Sequence, residues 1–391
     1  MIFLLIADSF PPSSNSAASL INDLSIEIKD NIIVVVPNNS LLKKTTSDTF
    51  KNRKILIVRT FNSKSSSLFY RTFSELANPF LILLAIKLNG INKYDGIIWY
   101  SPSIFFGFIV MLLKANKKVK SYLILRDIFP QWALDIHLLK KGMVFYFFKF
   151  FENYQYKVAD KIAVQSCSNI NYFRKNYPNM LNKIEVLDNW MQKPKPVKSS
   201  INLSNTPLKN KIIFIYAGNF GKSQQIDYLL NLVYFFKENK EIGFVFVGGG
   251  SEFDRIKQAA KLDILDNLLV LSSIPPGELI QLYEQCDIGL ISLDLRHKTS
   301  NIPGKFISYL LSGLPVFAIV NKGNDLIEIV NKNNIGVAFS SHSMELFEKK
   351  FLKFIHQINK KKVAGKCIAF ANKNYSPKKA AKQIISFFRA D

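Results

Sequence analysis

The chain has 391 residues, 48% hydrophobic and 21% charged, with 17 Gly and 15 Pro. That is enough apolar material for two domain cores, and it excludes a disordered or collagen-like chain and the small disulfide-stapled scaffolds. Lys and Arg number 52 against 29 Asp and Glu, a formal charge of +23 that points to an anionic partner: nucleic acid, an anionic membrane surface or a phosphorylated substrate.

The charge is spread along the chain. Residues 1–195 carry 26 basic and 13 acidic side chains (+13), residues 196–391 carry 26 and 16 (+10), and there is no basic tail. The excess of Lys, Ile, Asn and Phe is also what an AT-rich gene produces. Cys167, Cys286 and Cys367 are widely spaced with no C-x-x-C and read as buried, inert thiols of a reducing cytosol.

In chain order, the apolar run 2–6 has no preceding Lys or Arg and meets Asp8 at once, which is a buried strand and not a signal peptide. A helix is expected over 16–29, strands over 32–36 and 55–58, and a helix over 75–88. The uncharged run 96–113 is long enough to raise a transmembrane question, but Ser101-Pro102-Ser103 divides it into a strand, 97–100, and a helix, 104–114. A strand at 119–125, a helix at 142–159 and a strand at 161–164 follow. Strand and helix alternating in this way predict a doubly wound parallel sheet. Residues 191–210, rich in Lys, Pro and Ser, have the composition of a linker. The alternation then restarts: strands at 212–216, 243–247, 268–271, 288–292 and 316–319, with helices at 226–237, 253–261, 276–285 and 305–311. The expectation is an α/β protein of two Rossmann-like domains, 1–190 and 211–375, facing each other across a cleft, with a last helix near 376–391 returning to the first. Ligands of such sheets bind outside the carboxyl ends of the strands, so function belongs in the post-strand loops.

Four of those loops carry chemistry. Asp8-Ser9-Phe10-Pro11-Pro12-Ser13-Ser14-Asn15 opens a helix with small residues whose amides suit a phosphate, although an ordinary N-cap explains Ser13, Ser14 and Asn15 as well. Arg126-Asp127 sets opposite charges after a buried strand, where a structural ion pair is the plain alternative. Gly218-Asn219-Phe220-Gly221-Lys222 combines close backbone approach with a point charge, without Walker spacing, and Gly248-Gly249-Gly250 ends the next strand. Ser300-Asn301-Ile302-Pro303-Gly304-Lys305 runs into a helix that includes Ser308 and is closed by Gly313 and Pro315. Lys305 in a first turn is misplaced unless an anion compensates it. No Asp-x-Asp pair, no metal spacing among the four histidines and no Gly-x-Ser-x-Gly elbow occurs, so neither a metal-bridged diphosphate nor a common hydrolase is indicated.

At these residues the whole chain resembles a bacterial family 4 glycosyltransferase of the GT-B arrangement. The loop after Phe10-Pro11-Pro12 is similar to the family's glycine-rich loop, with Ser13 and Ser14 in place of glycines. Asp127 matches the Asp of its His-Asp pair, with Arg126 at the His position, and Asn189 matches an Asn that closes the first domain. Asn219 stands at an Arg position in the second domain's first loop and only Lys222 remains of the usual Arg and Lys. The Glu-x7-Glu motif falls on Ser300 and Ser308, so both glutamates are absent. The Asn301-to-Phe306 segment, Asn321-Lys322-Gly323-Asn324-Asp325 and the segment around Arg126-to-Trp132 resemble a subgroup that adds N-acetylated deoxy-aminosugars to lipid-linked O-antigen or capsule precursors.

The resemblance implies a retaining, metal-independent transfer from a UDP-sugar to a lipid-diphosphate-linked saccharide, in a cytoplasmic protein peripheral to the inner membrane and with no nucleic-acid role. Asp127, Lys222 and Lys305 would be catalytic. The donor would lie against Ser13, Ser14, Asn15, Gly218, Asn219, Gly221, Gly249, Gly250, Ser300, Asn301, Ile302, Pro303, Gly304 and Ser308, and the acceptor against Arg126 and Trp132. A sugar-nucleotide epimerase and a non-catalytic subunit of a polysaccharide complex are the alternatives. In residues 140–151, lysines flank an aromatic run; Phe145, Phe148 and Phe151 fit a buried helix face, whereas Tyr146, Phe147 and Phe150 argue for lipid.

Overall fold

Apolar runs rich in Ile, Val and Phe form strands buried on both faces of two sheets. The structure, a computed structural model, describes residues 1–390 except 14, 43, 51–52, 64–67, 102, 116–117, 263–264 and 358–359. Ser14 and Pro102 therefore lie outside the described residues. The chain divides into two units, Met1–Met191 with Pro377–Asp391, and Gln192–Ser376.

The first unit holds β1 (Ile2–Ile6), β2 (Asn31–Pro37), β3 (Thr46–Phe50), β4 (Arg53–Val58), β5 (Gly96–Ser101), β6 (Lys120–Leu125), β7 (Lys161–Val164) and β8 (Ile184–Val186). Their order is β3-β4-β2-β1-β5-β6-β7-β8. Every pairing is parallel except the edge pair β3–β4, which is antiparallel. This corrects the expectation of a purely parallel sheet: the Thr-Ser-Asp-Thr-Phe run has no apolar signal because it is an exposed edge. The helices are α1 (Ser16–Glu27), α2 (Leu68–Leu88), α3 (Phe106–Lys114), α4 (Gln131–Asp135), α5 (Met143–Val158) and α6 (Cys167–Asn176), whose first residue, Cys167, is exposed and not buried as expected. Along β1, Leu4 and Ile6 enter one core with Trp99 and Leu123, while Phe3 and Leu5 enter the opposite one with Leu24 and Ile98. Both faces of the sheet are thus covered, as a parallel sheet requires. Helix α2 starts at Leu68, seven residues before the expected start.

The second unit is a six-stranded parallel sheet of β9 (Ile212–Asn219), β10 (Ile242–Gly249), β11 (Leu268–Ser272), β12 (Ile288–Ser292), β13 (Val316–Ile319) and β14 (Gly336–Phe339), in the order β11-β10-β9-β12-β13-β14. It carries α7 (Ile226–Phe235), α8 (Phe253–Leu262), α9 (Pro276–Glu284), α10 (Gly304–Leu311), α11 (Asp325–Lys332), α12 (Met344–Gln357) and α13 (Lys360–Asn374). Aromatic contacts centred on Phe214 and Phe317, with Phe244, Phe347 and Phe351, fill one core. The stretch after Met191 is tied to α9: the Val197 amide donates to the Gly277 carbonyl (3.1 Å), and the Ser199 and Leu203 amides donate to the side chains of Gln281 and Gln285 (2.7 and 2.9 Å).

The last helix, α14 (Pro377–Arg389), buries Ala380, Ala381, Ile384, Ile385 and Phe388, a helical apolar stripe. Phe388 packs on Phe3 of β1 at 4.9 Å between ring centroids, and Arg389 pairs with Asp30 at 2.8 Å. In each sheet the strand order reverses beside the first strand, between β1 and β5 and between β9 and β12. Such switch points open a crevice at the carboxyl ends of the strands.

Candidate functional site

In the second unit, the loops after β9, β10 and β12 meet at that switch point. The β9 and β10 loops are stitched together by backbone: the Phe220 amide donates to the Gly249 carbonyl (2.8 Å) and the Glu252 amide to the Phe220 carbonyl (2.9 Å). Phe220 is fully buried against Tyr216, Phe246 and Phe253 and anchors the turn. Gly248, at φ +151°, lies so close to β9 that a Cβ there would sit 1.9 Å from the Gly218 carbonyl oxygen. Gly218 itself, at φ +132°, faces Lys305, whose Cε is 3.4 Å from where a Cβ would be. Gly249 is half-buried, whereas Asn219, Gly250 and Lys222 are exposed. Gly221 precedes the one-turn 3-10 helix Lys222–Gln224.

Lys305 occupies the first turn of α10, which begins after Pro303 with no side-chain cap and no acidic residue in its first turn. Its Nζ stands 3.6 Å from the centre of the Tyr216 ring and 3.2 Å from Gln224 Oε1. Among the described residues no carboxylate pairs with it, and burial lowers its pKa well below the ordinary lysine range. A desolvated cation in the first turn of a helix suits an anion: the dipole and the ammonium act in the same direction, and no described carboxylate neutralises either.

The 297–301 loop that leads into α10 is held from below. Asn321 Nδ2 donates to the carbonyls of His297 (3.0 Å) and Thr299 (3.2 Å), and Asn324 caps α11 through the Leu326 amide (3.0 Å) while bonding Asn321 (3.0 Å). Ser300 Oγ is 3.4 Å from the Gly323 carbonyl, and Ile302 is buried. Ser308 donates to the Tyr283 hydroxyl at 3.4 Å, on α9. Asp294, after β12, accepts from Arg296 (2.5 Å), and its amide donates to the Ser223 carbonyl (3.0 Å). Burial raises the Asp294 pKa, but hydrogen bonds from Arg296 and the Gln225 side chain outweigh it, so the net shift is downward. This fixes the turn that carries Lys222.

In the first unit, Asn15 Oδ1 caps α1 at the Ala18 amide (2.8 Å) and is 3.0 Å from Ser9 Oγ. Ser13 is half-buried, its amide donating to the Phe10 carbonyl (3.1 Å). Arg126 is 6% exposed: its guanidinium lies 5.8 Å from the Trp190 ring centre, hydrogen bonds Tyr100, and leaves Nη1 without a partner among the described residues. Burial lowers its pKa, opposed by Tyr100 and Asp127. Half-buried Asp127 follows it, and half-buried Trp132, at the start of α4, packs on Phe129 at 6.1 Å.

Sequence reasoning passed over Asp8 and Glu75. Asp8 directly follows β1; its charge, with that of Asp127, helps raise the Tyr100 pKa after burial itself. Burial is also the chief cause of the raised pKa of Glu75, opposed by Arg71 and reinforced by Asp8. A charged residue directly after a central strand was the available signal for Asp8; Glu75, within a helix, offered none. Among the described residues no group of three or more His, Cys, Asp or Glu side chains is arranged to hold a metal ion.

Residues 200–387 match the family model described as Glycosyl transferases group 1. A probable glycosyltransferase, WbjE of Pseudomonas aeruginosa, is 24% identical over 230 residues, which are 58% of this chain and 57% of that protein. The chain thus spans little more than half the length of this curated relative. Among solved structures, the sucrose-phosphate synthase of Thermosynechococcus elongatus superposes with a TM-score of 0.77 at 13% identity, covering 99% of this chain and 98% of that one. Anabaena HepE in complex with UDP gives 0.68 at 13% identity over 100% of both chains, and WaaG, a glycosyltransferase involved in lipopolysaccharide biosynthesis, gives 0.66 at 14% over 98% and 99%. The fold, two Rossmann-like α/β units with GT-B neighbours, is as expected from the sequence.

Proposed function

We propose that this chain, whose residues 200–387 match the model of the glycosyl transferases group 1 family, transfers a sugar from a UDP-sugar to a lipid-linked saccharide precursor at the cytoplasmic face of the inner membrane. The observation that carries the reading is Lys305, half-buried against the Tyr216 ring with no carboxylate partner among the described residues, in the first turn of α10 and in the crevice after β9 and β12. A structural neighbour in complex with UDP supports a uridine nucleotide, and another neighbour, WaaG, involved in lipopolysaccharide biosynthesis, supports a saccharide of the lipopolysaccharide kind. The sugar is proposed to be an N-acetylated deoxy-aminosugar.

The difficult event is departure of UDP. The bond from the anomeric carbon to the phosphate oxygen breaks while an acceptor hydroxyl forms the new bond on the same face, and the hydroxyl proton passes to the departing phosphate. Negative charge grows on the diphosphate as the sugar becomes cationic. Lys305, Lys222 and the backbone N–H groups of Asn301, Ile302 and Gly304 oppose that charge without a metal. Asp127, with Arg126 behind it, orients the acceptor or the sugar, and Trp132 offers a ring to an acceptor saccharide.

The test is incubation with a panel of UDP-sugars, alone and then with a GlcNAc-diphospholipid, followed by mass spectrometry and determination of the new anomeric centre. A lipid product of retained configuration is expected. An epimerised donor without acceptor would establish an epimerase, and no turnover with any pair would overturn the enzymatic reading.

A further inference from the structure

Three helices of the first unit expose apolar side chains that the core does not need. On α2, Phe73, Phe80, Leu84 and Leu88 follow one another at helical spacing, with exposures of 49%, 55%, 53% and 76%. On α5, Phe145 is buried and Phe148 and Phe151 are half-buried, while Met143, Tyr146, Phe147 and Phe150 stand out at 91%, 56%, 40% and 62%. Helix α3 joins the two: Phe108 touches Phe80 (5.4 Å) and Tyr154 (6.3 Å), and Tyr154 stacks on Phe150 (6.4 Å). The result is one continuous aromatic strip across α2, α3 and α5.

The exposed charges on and next to these helices are mostly basic; Asp160, after α5, pairs with Lys114 of α3 (2.6 Å). Lys140 and Lys141, before α5, and Lys87, at the end of α2, are exposed. The only acids on the three helices are Glu75 and Glu152. Glu75 is half-buried beside Arg71, and Glu152 is fully buried, paired to Lys149 (2.5 Å) and bonded by Tyr156, Tyr172 and Tyr177. No described helix is long and apolar enough to cross a membrane. Protruding aromatic rings flanked by lysines, with the acids withdrawn, suit the headgroup region of an anionic bilayer, where the rings enter the acyl boundary and the ammonium groups meet phosphate.

We propose that the α2–α3–α5 face seats the protein on an anionic lipid surface. It goes beyond the transfer reaction and does not depend on it, since lipid binding is read without donor or acceptor. The full-length protein is floated with vesicles of phosphatidylcholine alone and of phosphatidylcholine with an equimolar share of phosphatidylglycerol. Binding to the mixed vesicles at low salt is expected. Phe147→Ser with Phe150→Ser, and separately Phe80→Ser with Leu84→Ser, should each reduce it about tenfold or more. Lys140→Ala with Lys141→Ala should reduce it roughly 30-fold, at about fivefold per lysine. Phe235→Ser, an exposed ring of the second unit, should float like the parent protein. Circular dichroism checks each variant's fold, and Phe150→Trp adds a second readout, a blue-shifted emission on mixed vesicles. Failure of the parent protein to float, unchanged flotation of both aromatic pairs, or an unshifted tryptophan would each overturn the proposal. So would light scattering that shows a dimer abolished by the same substitutions, because the face would then join two copies of this chain.

Discussion

Replacement of Lys305 by Met separates a working charge from a structural one, because the two roles change activity and stability in different directions. The ammonium is desolvated, rests on the Tyr216 ring and accepts no help from any described carboxylate. At about 4 Å from a phosphate oxygen and an effective dielectric near 20, the attraction is about 4 kcal/mol. Loss of a donor aimed at developing charge costs about 2.7–4 kcal/mol, or 10²–10³ in turnover, so the two magnitudes agree. In the ligand-free protein the sign reverses. Met fills the same space without a charge to desolvate, and a gain of about 1 kcal/mol would raise the melting temperature by roughly 2–4 °C. The folded pKa of Lys305 lies below its unfolded value, so the unfolded chain binds the additional proton and stability rises with pH from the folded pKa up to the ordinary lysine range near ~10.4. UDP, by restoring the charged form, would take up a proton across the same window. Turnover with a UDP-sugar, thermal melts of both proteins over pH, and calorimetric UDP titration in two buffers of different ionisation enthalpy measure all three effects. Turnover within about threefold of the parent, or a melting temperature lowered by several degrees, would refute the anion-seat argument.

Gly248→Ala should be poorly tolerated: the positive φ alone costs about 1–3 kcal/mol and the new Cβ would drive β10 away from the Gly218 carbonyl, so a melt lowered by roughly 4–8 °C, with a raised KM for the donor, is expected from thermal denaturation and initial rates. Asp294→Asn keeps one acceptor oxygen but removes the charge and the second oxygen that Arg296 bonds, and should cost about 1–2 kcal/mol at neutral pH. Because the Asp294 pKa is depressed, its contribution is present above the unfolded value near ~3.9 and is lost as pH falls through the folded one, so the gap between the two proteins' melts should close in acid.

Much of the fold was legible because both sheets are buried on both faces. Ile2–Ile6 and Val316–Ile319 are uninterrupted apolar runs, and the sequence pattern finds such strands within a residue. The elements that escaped are those whose stability comes from elsewhere. Thr46–Phe50 is an edge strand with one neighbour and no apolar face, and Ile184–Val186 is three half-buried residues whose hydrogen-bonded neighbour is β7. The composition of the segment after Met191 suggested loose chain because no signal in its own residues reveals the side-chain carbonyls of Gln281 and Gln285 that receive its amides.

The site was legible in a different way. Lys305 could be singled out because a cation in a helix's first turn contradicts the dipole, and a local contradiction is visible without coordinates. What surrounds it was not: Tyr216 reads as an ordinary strand residue and Gln224 as a polar loop residue until folding brings both to Nζ. Net charge could not rank the lysines either, since it counts Lys305 and Lys140 alike. Burial distinguishes them physically. Ions screen exposed charges over about 8 Å at physiological salt, so Lys140 and Lys141 can supply only a salt-sensitive attraction to a surface. Lys305, withdrawn from the electrolyte, keeps its interaction with a bound phosphate largely intact at the same ionic strength. Raising salt is therefore expected to release the protein from mixed vesicles while leaving UDP binding largely unchanged, and flotation and calorimetry at two ionic strengths measure the two effects separately.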